Sequence, residues 1–423
     1  MTQVLEALRP YLLPAARVVI AFLGLSLIAA AMIWIERKVL AHLQVRLGPM
    51  RVGPHGLLQP IADVVKLLLK EDIVPAGADR FIFLYAPVIS VVAAFTPFAL
   101  VPFASNDIAP DVNVGILLLI GISSLGIFGI ILGGWASNSH YPLLGALRST
   151  AQLVSYEVAL GFAIVSVLLL SNTLSLRGIV EKQAELGIWF VFLQPVAFFI
   201  LFVASLAETN RNPFDLPEAE SELVAGFHTE YSGFRFSLFF MAEYTAMALA
   251  SCVATMLFLG GWQRPFASIR ALDFLDFGLP LLIFGLATVW FVKEIFHAVS
   301  PTHRAVLVVF AGLAAGLTGS LFVPGVMEAI GGVFWFLLKV FAFLFVFIWF
   351  RGTFPRYRFD QLMRLGWHFM IPVAIANVIF CALGLILAQR PGWNLEGGVW
   401  AGNAATLLVA ILLAGRRRYE RVV

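Results

Sequence analysis

The sequence predicts an all-α, polytopic membrane helix bundle with about eleven transmembrane helices and an amphipathic surface helix. Three observations support this class. Of the 423 residues, 61% are hydrophobic and only 13% are charged, and the mean hydropathy is +0.93. So few ionisable groups cannot cover a water-soluble surface of that size. We therefore expect helices that face lipid and pair their backbone amides internally.

The expected spans are apolar runs of roughly 18 to 25 residues, the length that crosses a ~30 Å hydrocarbon core. In chain order they cover residues 15–36, 81–103, 113–135, 148–170, 189–208, 236–259, 279–297, 304–323, 331–350, 368–389 and 398–415. Basic residues crowd the connections 37–80 and 351–364 and the tail 416–418, which all fall on one side of such a bundle. Because cytoplasmic loops carry the excess of basic residues, we expect an external N-terminus and a cytoplasmic C-terminus.

The cysteine pattern bears on cofactors. Cys252 and Cys381 both fall inside expected spans and lie far apart in the sequence. They lack the CxxC or Cys/His spacing that zinc or an iron–sulfur cluster needs. We therefore expect no metal site in this chain and any electron-carrying cofactor in another polypeptide.

One connection, residues 208–235, is densely acidic and contains only two arginines, Arg211 and Arg235. Its carboxylates are Glu208, Asp215, Glu218, Glu220, Glu222 and Glu230. Crowded carboxylates in a partly dehydrated site repel one another, so that some hold protons near neutral pH. The connection is either such a proton-accepting cluster or a solvated docking surface. Phe214 and Phe227 among the acids favour a packed, partly buried loop.

Two further carboxylates lie within expected spans, Glu157 in the fourth and Glu243 in the sixth. A charge at that depth costs ~2.5 kcal/mol or more unless it is neutralised, paired or hydrated. Lys339, inside the ninth span, is the basic residue that we expect to compensate them. Buried ion pairs without a transport role are the alternative, but the set as a whole favours proton transfer.

A polar segment follows the first span. Residues 44–54 are rich in glycine, proline and arginine and predict a structured loop at the membrane interface. A helix is then expected from about Leu57 to Lys70, along the membrane surface, with Gln59 and Asp63 on its polar face. This helix either anchors the chain at the membrane surface or lines the entrance for a lipid-soluble ligand. Its residues alone do not distinguish the two functions.

Together these segments resemble a known family, the quinone-site membrane component of NADH-quinone oxidoreductase (respiratory complex I), called the H subunit in bacteria and subunit 1 in mitochondria. The matching stretches are residues 34–38, 44–71, 144–148, 155–157, 207–233 and 354–363. They follow the family's order and lie within residues 15–263 and 331–389. So many polar matches in one order are highly specific.

The resemblance implies a subunit of a proton-translocating enzyme in the bacterial inner (plasma) membrane. Ubiquinone or menaquinone would enter from the bilayer through an opening framed by the first and sixth spans and the surface helix. Peripheral subunits carrying FMN and iron–sulfur clusters would close the chamber, whereas this chain would hold no redox cofactor itself. Small membrane subunits, antiporter-like subunits and membrane lipid are further implied partners, and no nucleic acid is expected.

Residue by residue, the resemblance assigns two sets of functional side chains. The quinone-binding set is Glu36, Arg37, Arg46, Arg51, Gln59 and Asp63. The catalytic proton path is Glu157, Glu208, Asp215, Glu218, Glu220 and Glu243. Glu36 is expected to pair with one of the three arginines of its set. Arg211 and Tyr244 are expected to position the acids, with Lys339 as a further supporting residue.

The chain departs from the family in its organisation. The expected units are a family core over 1–263, an inserted helical hairpin over 264–330, the last two core helices over 331–389, and an extra helix with a basic tail over 390–423. We expect the hairpin on the outside of the fold, where the family usually has a short connection. Its adjacent Lys293 and Glu294 are expected to form an interfacial pair.

Two other functions fit parts of this pattern. The anchor subunit of a related membrane-bound hydrogenase, or of a ferredoxin- or F420-linked complex, would share the fold and part of the acidic path. The complete loop over 44–54 favours the quinone enzyme. A stand-alone proton-coupled secondary transporter would use Glu157 and Glu243 as coupling carboxylates, but it predicts internal repeats, and none is evident. The electron donor and the quinone type are not encoded in this subunit.

Overall fold

The computed structural model describes residues 2–105, 111–217, 220–266, 269–298, 300–323 and 325–420. Within these ranges the chain is helical and forms no β-strand. The α-helices of these ranges are α1 (Thr2–Leu43), α2 (Gln59–Leu69), α3 (Arg80–Phe95), α4 (Gly115–Ser124), α5 (Gly126–Ala136), α6 (His140–Ser171), α7 (Leu176–Leu186), α8 (Phe190–Leu193), α9 (Pro195–Glu208), α10 (Glu220–Leu223), α11 (Gly233–Phe258), α12 (Phe274–His297), α13 (Pro301–Ser320), α14 (Val326–Thr353), α15 (Phe359–Leu365), α16 (Ile371–Ala388) and α17 (Leu395–Glu420).

Most of the helices are long and apolar. Across the described ranges, ten helical segments are long and apolar enough to cross a membrane, and α9 is a shorter apolar helix of 14 residues. These ten segments and α9 correspond in order to the eleven expected spans. The predicted class, an all-α polytopic membrane bundle, is confirmed.

The fifth span differs from its expectation as one continuous helix over 189–208, because it is interrupted. Helix α8 ends at Leu193 and α9 begins with Pro195, which has no backbone N–H to continue the first helix. The free carbonyl of Leu193 accepts a hydrogen bond from Asn403 Nδ2 on α17. Asn377 of α16 donates to Gln194 Oε1 at 3.3 Å. Side chains of the last two long helices therefore satisfy polar groups at the break, as a lipid environment requires.

Helices α16 and α17 pack closely through glycines. A Cβ atom at Gly398 would lie 2.2 Å from the carbonyl oxygen of Gly384, and one at Gly402 would lie 2.4 Å from the carbonyl oxygen of Phe380. Small residues let helix backbones approach to this distance in membranes. The C-terminal helix is thereby fixed against the bundle at the level of the α8–α9 break.

The surface helix α2 connects the first span to the rest of the fold. It packs against α1 and α11. Its apolar side chains Ile61, Val64 and Leu68 are 50 to 59% exposed and form a face suited to the lipid boundary. Helices α1, α2 and α11 are thus neighbours at one end of the bundle.

Helices α12 and α13 form a hairpin that packs mainly on itself. Its large apolar side chains are widely exposed, among them Leu286, Val289 and Phe296. Among the described residues, its main contacts with the family core are with α14 and with the turn Pro54–Gly56 between α1 and α2. The hairpin therefore lies on the periphery of the bundle but reaches the loop that precedes the surface helix.

Candidate functional site

A buried ion cluster joins α1, α11, α14 and the loop after α9. Glu36 is 3% exposed and Arg211 is 4% exposed, and Glu36 Oε1 lies 3.2 Å from Arg211 Nη1. Arg351, near the end of α14, pairs with the same carboxylate. The Tyr244 hydroxyl donates to Glu36 Oε2 at 2.6 Å, and Arg211 Nε lies 2.8 Å from Glu243 Oε1. The carboxylates of Glu36 and Glu243 thus balance the two guanidinium groups.

Arg211 is the centre of this cluster. Its guanidinium carbon lies 4.4 Å from the centroid of the Tyr244 ring, so that the cation rests on an aromatic face. Burial acts to lower the pKa of Arg211, but Glu243 and Glu36 outweigh it and hold that pKa well above its usual value. Arg211 therefore stays charged between two acids, and the expectation that it and Tyr244 position the proton-path acids stays a prediction.

The expected pairing of Glu36 with Arg37, Arg46 or Arg51 is wrong. Arg37 instead pairs with Asp63 of the surface helix, and Arg46 and Arg51 are exposed. The reason is helical phase, because consecutive residues of α1 point about 100° apart. Glu36 faces the bundle, whereas Arg37 faces α2.

The Arg37–Asp63 pair forms a second polar group, on the side of α1 that faces α2. Gln59 Nε2 donates to Asp63 Oδ1 at 3.0 Å, one helical turn earlier on α2. The structure therefore brings Arg37, Gln59 and Asp63 together. The exposed Arg46 and Arg51 lie on the adjoining loop.

A cavity of about 140 Å³ lies beside the ion cluster, large enough for several water molecules. Three of the expected carboxylates line it, Glu157 from α6, Glu208 from α9 and Glu243 from α11. Much of the remaining wall is apolar, with serines from α3 and α4. Because Glu243 also pairs with Arg211, it belongs both to the cavity and to the ion cluster.

The other expected acids lie elsewhere. Asp215 is not part of the cavity lining and pairs with Arg356, whose Nη2 lies 2.8 Å from Asp215 Oδ2. Burial raises the pKa of Asp215, and Arg356 opposes that rise. Glu218 and the side chain of Glu220 lie outside the described part of the chain.

Lys339 does not compensate a carboxylate, so that expectation is wrong. Its ammonium group donates to the backbone carbonyls of Leu259 at 2.6 Å, Gly261 at 2.8 Å and Gln263, and it lies 4.5 Å from the centroid of the Trp189 ring. Carbonyls at and beyond a helix C-terminus lack intrahelical donors, and an ammonium group supplies three. Lys339 therefore stabilises the chain just after α11.

Sequence reasoning missed His228, which also lines the cavity. Its ring lies 4.9 Å from that of Phe227 and 5.2 Å from that of Phe236, both edge-on. Burial lowers the pKa of His228 to about 4. The signal in the sequence was a histidine inside the acidic 208–235 connection. A neutral histidine adds nothing to the formal charge, so the charge pattern of the connection does not point to it.

The depressed pKa of His228 predicts a loss of stability in acid. At pH values between the ordinary histidine pKa of about 6.5 and the lower pKa of the folded state, His228 is protonated in the unfolded chain and neutral in the folded chain. Stability therefore falls as pH falls, by about 2 kcal/mol from this residue at pH 5. We expect the thermal unfolding midpoint of His228→Gln to drop less between pH 7.5 and pH 5.0 than that of the native protein. The exposed His140→Gln serves as control, and equal drops in all three proteins would contradict the prediction.

No metal centre is evident among the residues described, since no three His, Cys, Asp or Glu side chains cluster in a way that could hold an ion. Cys252 and Cys381 are both buried with free thiols. Burial of this kind is typical of structural cysteines. The chemistry of the described site thus resides in carboxylates, guanidinium groups and one histidine.

The fold and this site define a class of protein: a multi-pass membrane protein in which protonatable side chains meet a buried ion cluster inside the helix bundle. The family model described as NADH dehydrogenase matches residues 16–382. The chain is 51% identical over 386 residues to a protein of Solibacter usitatus named as the second H subunit of NADH-quinone oxidoreductase, covering 89% of this chain and 98% of that relative. The chain belongs to the NADH dehydrogenase family, as a member of its H-subunit type.

Two further relatives agree. A protein of Koribacter versatilis, named as the first H subunit of NADH-quinone oxidoreductase, is 50% identical over 383 residues, 86% of this chain and 90% of that protein. The protein of the same name from Geobacter sulfurreducens is 43% identical over 389 residues, with shares of 87% and 94%. The resemblance inferred from the polar segments is therefore confirmed along most of the chain.

Proposed function

We propose that this chain is the membrane subunit of a proton-translocating NADH-quinone oxidoreductase, where it forms the quinone chamber with peripheral subunits and couples quinone reduction to proton transfer. One observation carries the proposal. Glu243 lines the cavity with Glu157 and Glu208 and also pairs with Arg211 in the ion cluster. A change of charge in the cluster can therefore act directly on carboxylates that exchange protons.

The chemistry of the substrate suits this arrangement. Reduction of a quinone to a quinol adds two electrons and two protons, so negative charge develops on the headgroup before protons arrive. Charge near the buried cluster is poorly screened, and it alters the balance among Glu36, Arg211 and Glu243. In response to this change in charge, Glu157 and Glu208 take up or release protons through water in the cavity.

The entrance would lie where α1, α2 and α11 meet. The apolar face of α2 suits an isoprenoid tail, and the group formed by Arg37, Gln59 and Asp63 offers hydrogen bonds to a polar headgroup. Arg46 and Arg51 on the adjoining loop would guide the headgroup inward. In this proposal that side of the inner membrane is cytoplasmic, the N-terminus is external, and FMN and iron–sulfur clusters sit in partner subunits that dock there.

The alternatives are weaker. A hydrogenase or ferredoxin-linked anchor would share the bundle, but the three relatives described above are all named for NADH and quinone. A stand-alone transporter needs no buried cluster at the end of the bundle where a surface helix meets the first span. The acidic path beside an entrance therefore favours the quinone enzyme.

Purification from membranes in mild detergent tests the proposal. We expect flavin- and iron–sulfur-containing subunits to co-purify with the chain, and the reconstituted complex to couple NADH-driven, inhibitor-sensitive quinone reduction to proton transport into liposomes. Hydrogen- or ferredoxin-driven activity without NADH activity would favour the related complexes. If the chain purified alone as a monodisperse protein and transported a solute by itself, both the quinone enzyme and the related complexes would be ruled out.

A further inference from the structure

The hairpin α12–α13 contacts the α1–α2 loop, residues 44–58, at one residue in particular. His55 Nε2 lies 3.0 Å from Glu294 Oε2 near the end of α12, and the His55 ring lies 5.7 Å from the ring of Trp290. The expected pairing of Glu294 with Lys293 is thus replaced by a contact 239 positions away in the chain. The hairpin is therefore attached to the loop by a charged group and an aromatic ring.

The opposite side of His55 is held by the first span. Trp34 Nε1 donates to the backbone carbonyl of His55 at 3.2 Å. Since Trp34 lies on α1 and Glu294 on α12, His55 is fixed between the family core and the hairpin. Movement of the hairpin away from the core would release one side of the loop.

The loop itself adopts a tight conformation that needs such support. His55 has a φ of +49°, a left-handed conformation that costs a non-glycine residue about 1 kcal/mol. Gly53 and Gly56 have φ values of +73° and +77°, and a Cβ atom at Gly56 would lie 2.2 Å from the carbonyl oxygen of Pro49. Strained backbone of this kind persists where surrounding contacts hold it.

We propose that the hairpin is a brace for the α1–α2 loop, and that Glu294 and Trp290 are positioning residues that set the access of quinone to the chamber. The inference rests on the proposed function, because that function makes the loop part of the entrance. Neither residue touches the cavity or the ion cluster. Loss of the brace should therefore affect quinone binding and leave the later steps of turnover unchanged.

The test uses the whole complex in inside-out membrane vesicles. A cysteine at the partly exposed Val52 reports loop position through its rate of labelling by a membrane-impermeant maleimide, since native Cys252 and Cys381 are buried. Steady-state kinetics with decylubiquinone and a menaquinone analogue of similar tail length give KM and kcat. The variants are Glu294→Gln and Trp290→Ala, and Lys293→Gln is the control, an exposed neighbour on the same helix.

We expect Glu294→Gln and Trp290→Ala to speed labelling and to raise the quinone KM about three- to tenfold, with kcat within about twofold of native. Lys293→Gln should match the native complex in both measurements. Native labelling rates in both variants would overturn the brace while leaving the proposed function intact. Faster labelling with an unchanged KM would show that the loop does not govern quinone access, which overturns this inference and the proposed entrance but not the acidic path.

Discussion

Substitution of Arg211 by methionine is expected to lower the free energy of unfolding by about 3–5 kcal/mol. The substitution leaves the carboxylates of Glu36 and Glu243 buried without their shared guanidinium partner, and of the two it is Glu36 that is ion-paired with Arg351. Loss of one partner from a buried ion cluster costs more than the net contribution of the intact cluster. We expect much less assembled complex in membranes and a lower thermal midpoint for what remains.

Two comparisons make this prediction specific. Arg148→Met removes a guanidinium group whose partner, Glu222, is 55% exposed, and should cost about 1 kcal/mol or less. The double substitution Arg211→Met with Glu243→Gln removes one of the unpaired charges and should recover part of the lost stability. Equal losses in Arg211→Met and Arg148→Met would contradict the view that burial determines the effect.

Glu157→Gln is expected to leave assembly intact and to depress coupled turnover about a hundredfold, the lower end of the range for loss of a positioned proton-transfer group. Glutamine keeps the size of the side chain but cannot carry a proton. Glu157 lines the cavity at partial exposure, so its neutral replacement should pack without strain. NADH-driven quinone reduction and proton transport in liposomes, each normalised to assembled complex, measure the effect.

Glu222→Gln is the matched control, because Glu222 is an exposed acid of the same acidic connection and does not line the cavity. It should turn over and pump at native rates. Asp215→Asn tests the path at a second position, where the carboxylate pairs with Arg356. Native turnover and pumping in both Glu157→Gln and Asp215→Asn would count against the acidic path.

The sequence was sufficient for the spans and for the surface helix, because both depend on local patterns of apolar side chains. Helix α2 runs over Gln59–Leu69, close to the expected 57–70. The interruption before Pro195 was also visible in the sequence, but hydropathy averages over it. A hydropathy average shows whether a segment lies in the membrane, but it does not show whether the segment is one continuous helix.

The ion cluster could not be derived in the same way. Glu36 and Arg211 are 175 positions apart, and Glu36 and Arg351 are 315 apart. A single sequence shows which residues are charged but not which helix faces meet. Arg351 could therefore be used, with the other basic residues of its connection, to predict the orientation of the chain in the membrane. Its pairing with Glu36 could not be predicted.

Lys339 illustrates a different limit. Counting side-chain charges suggested a carboxylate partner, whereas the real acceptors are backbone carbonyls beyond α11. Backbone acceptors exist at every residue, and only the fold reveals which of them lack donors. The contact between His55 and Glu294 could not be predicted either, because no pattern within the hairpin sequence shows which part of the family core it contacts.

The interrupted fifth span gives the last helix a significance beyond its position at the chain terminus. A protein that stopped after α16 would leave the carbonyl of Leu193, a buried residue, without the Asn403 amide that donates to it. The C-terminal helix is therefore more than an appendage to the bundle, because it supplies the donor on which the broken span depends.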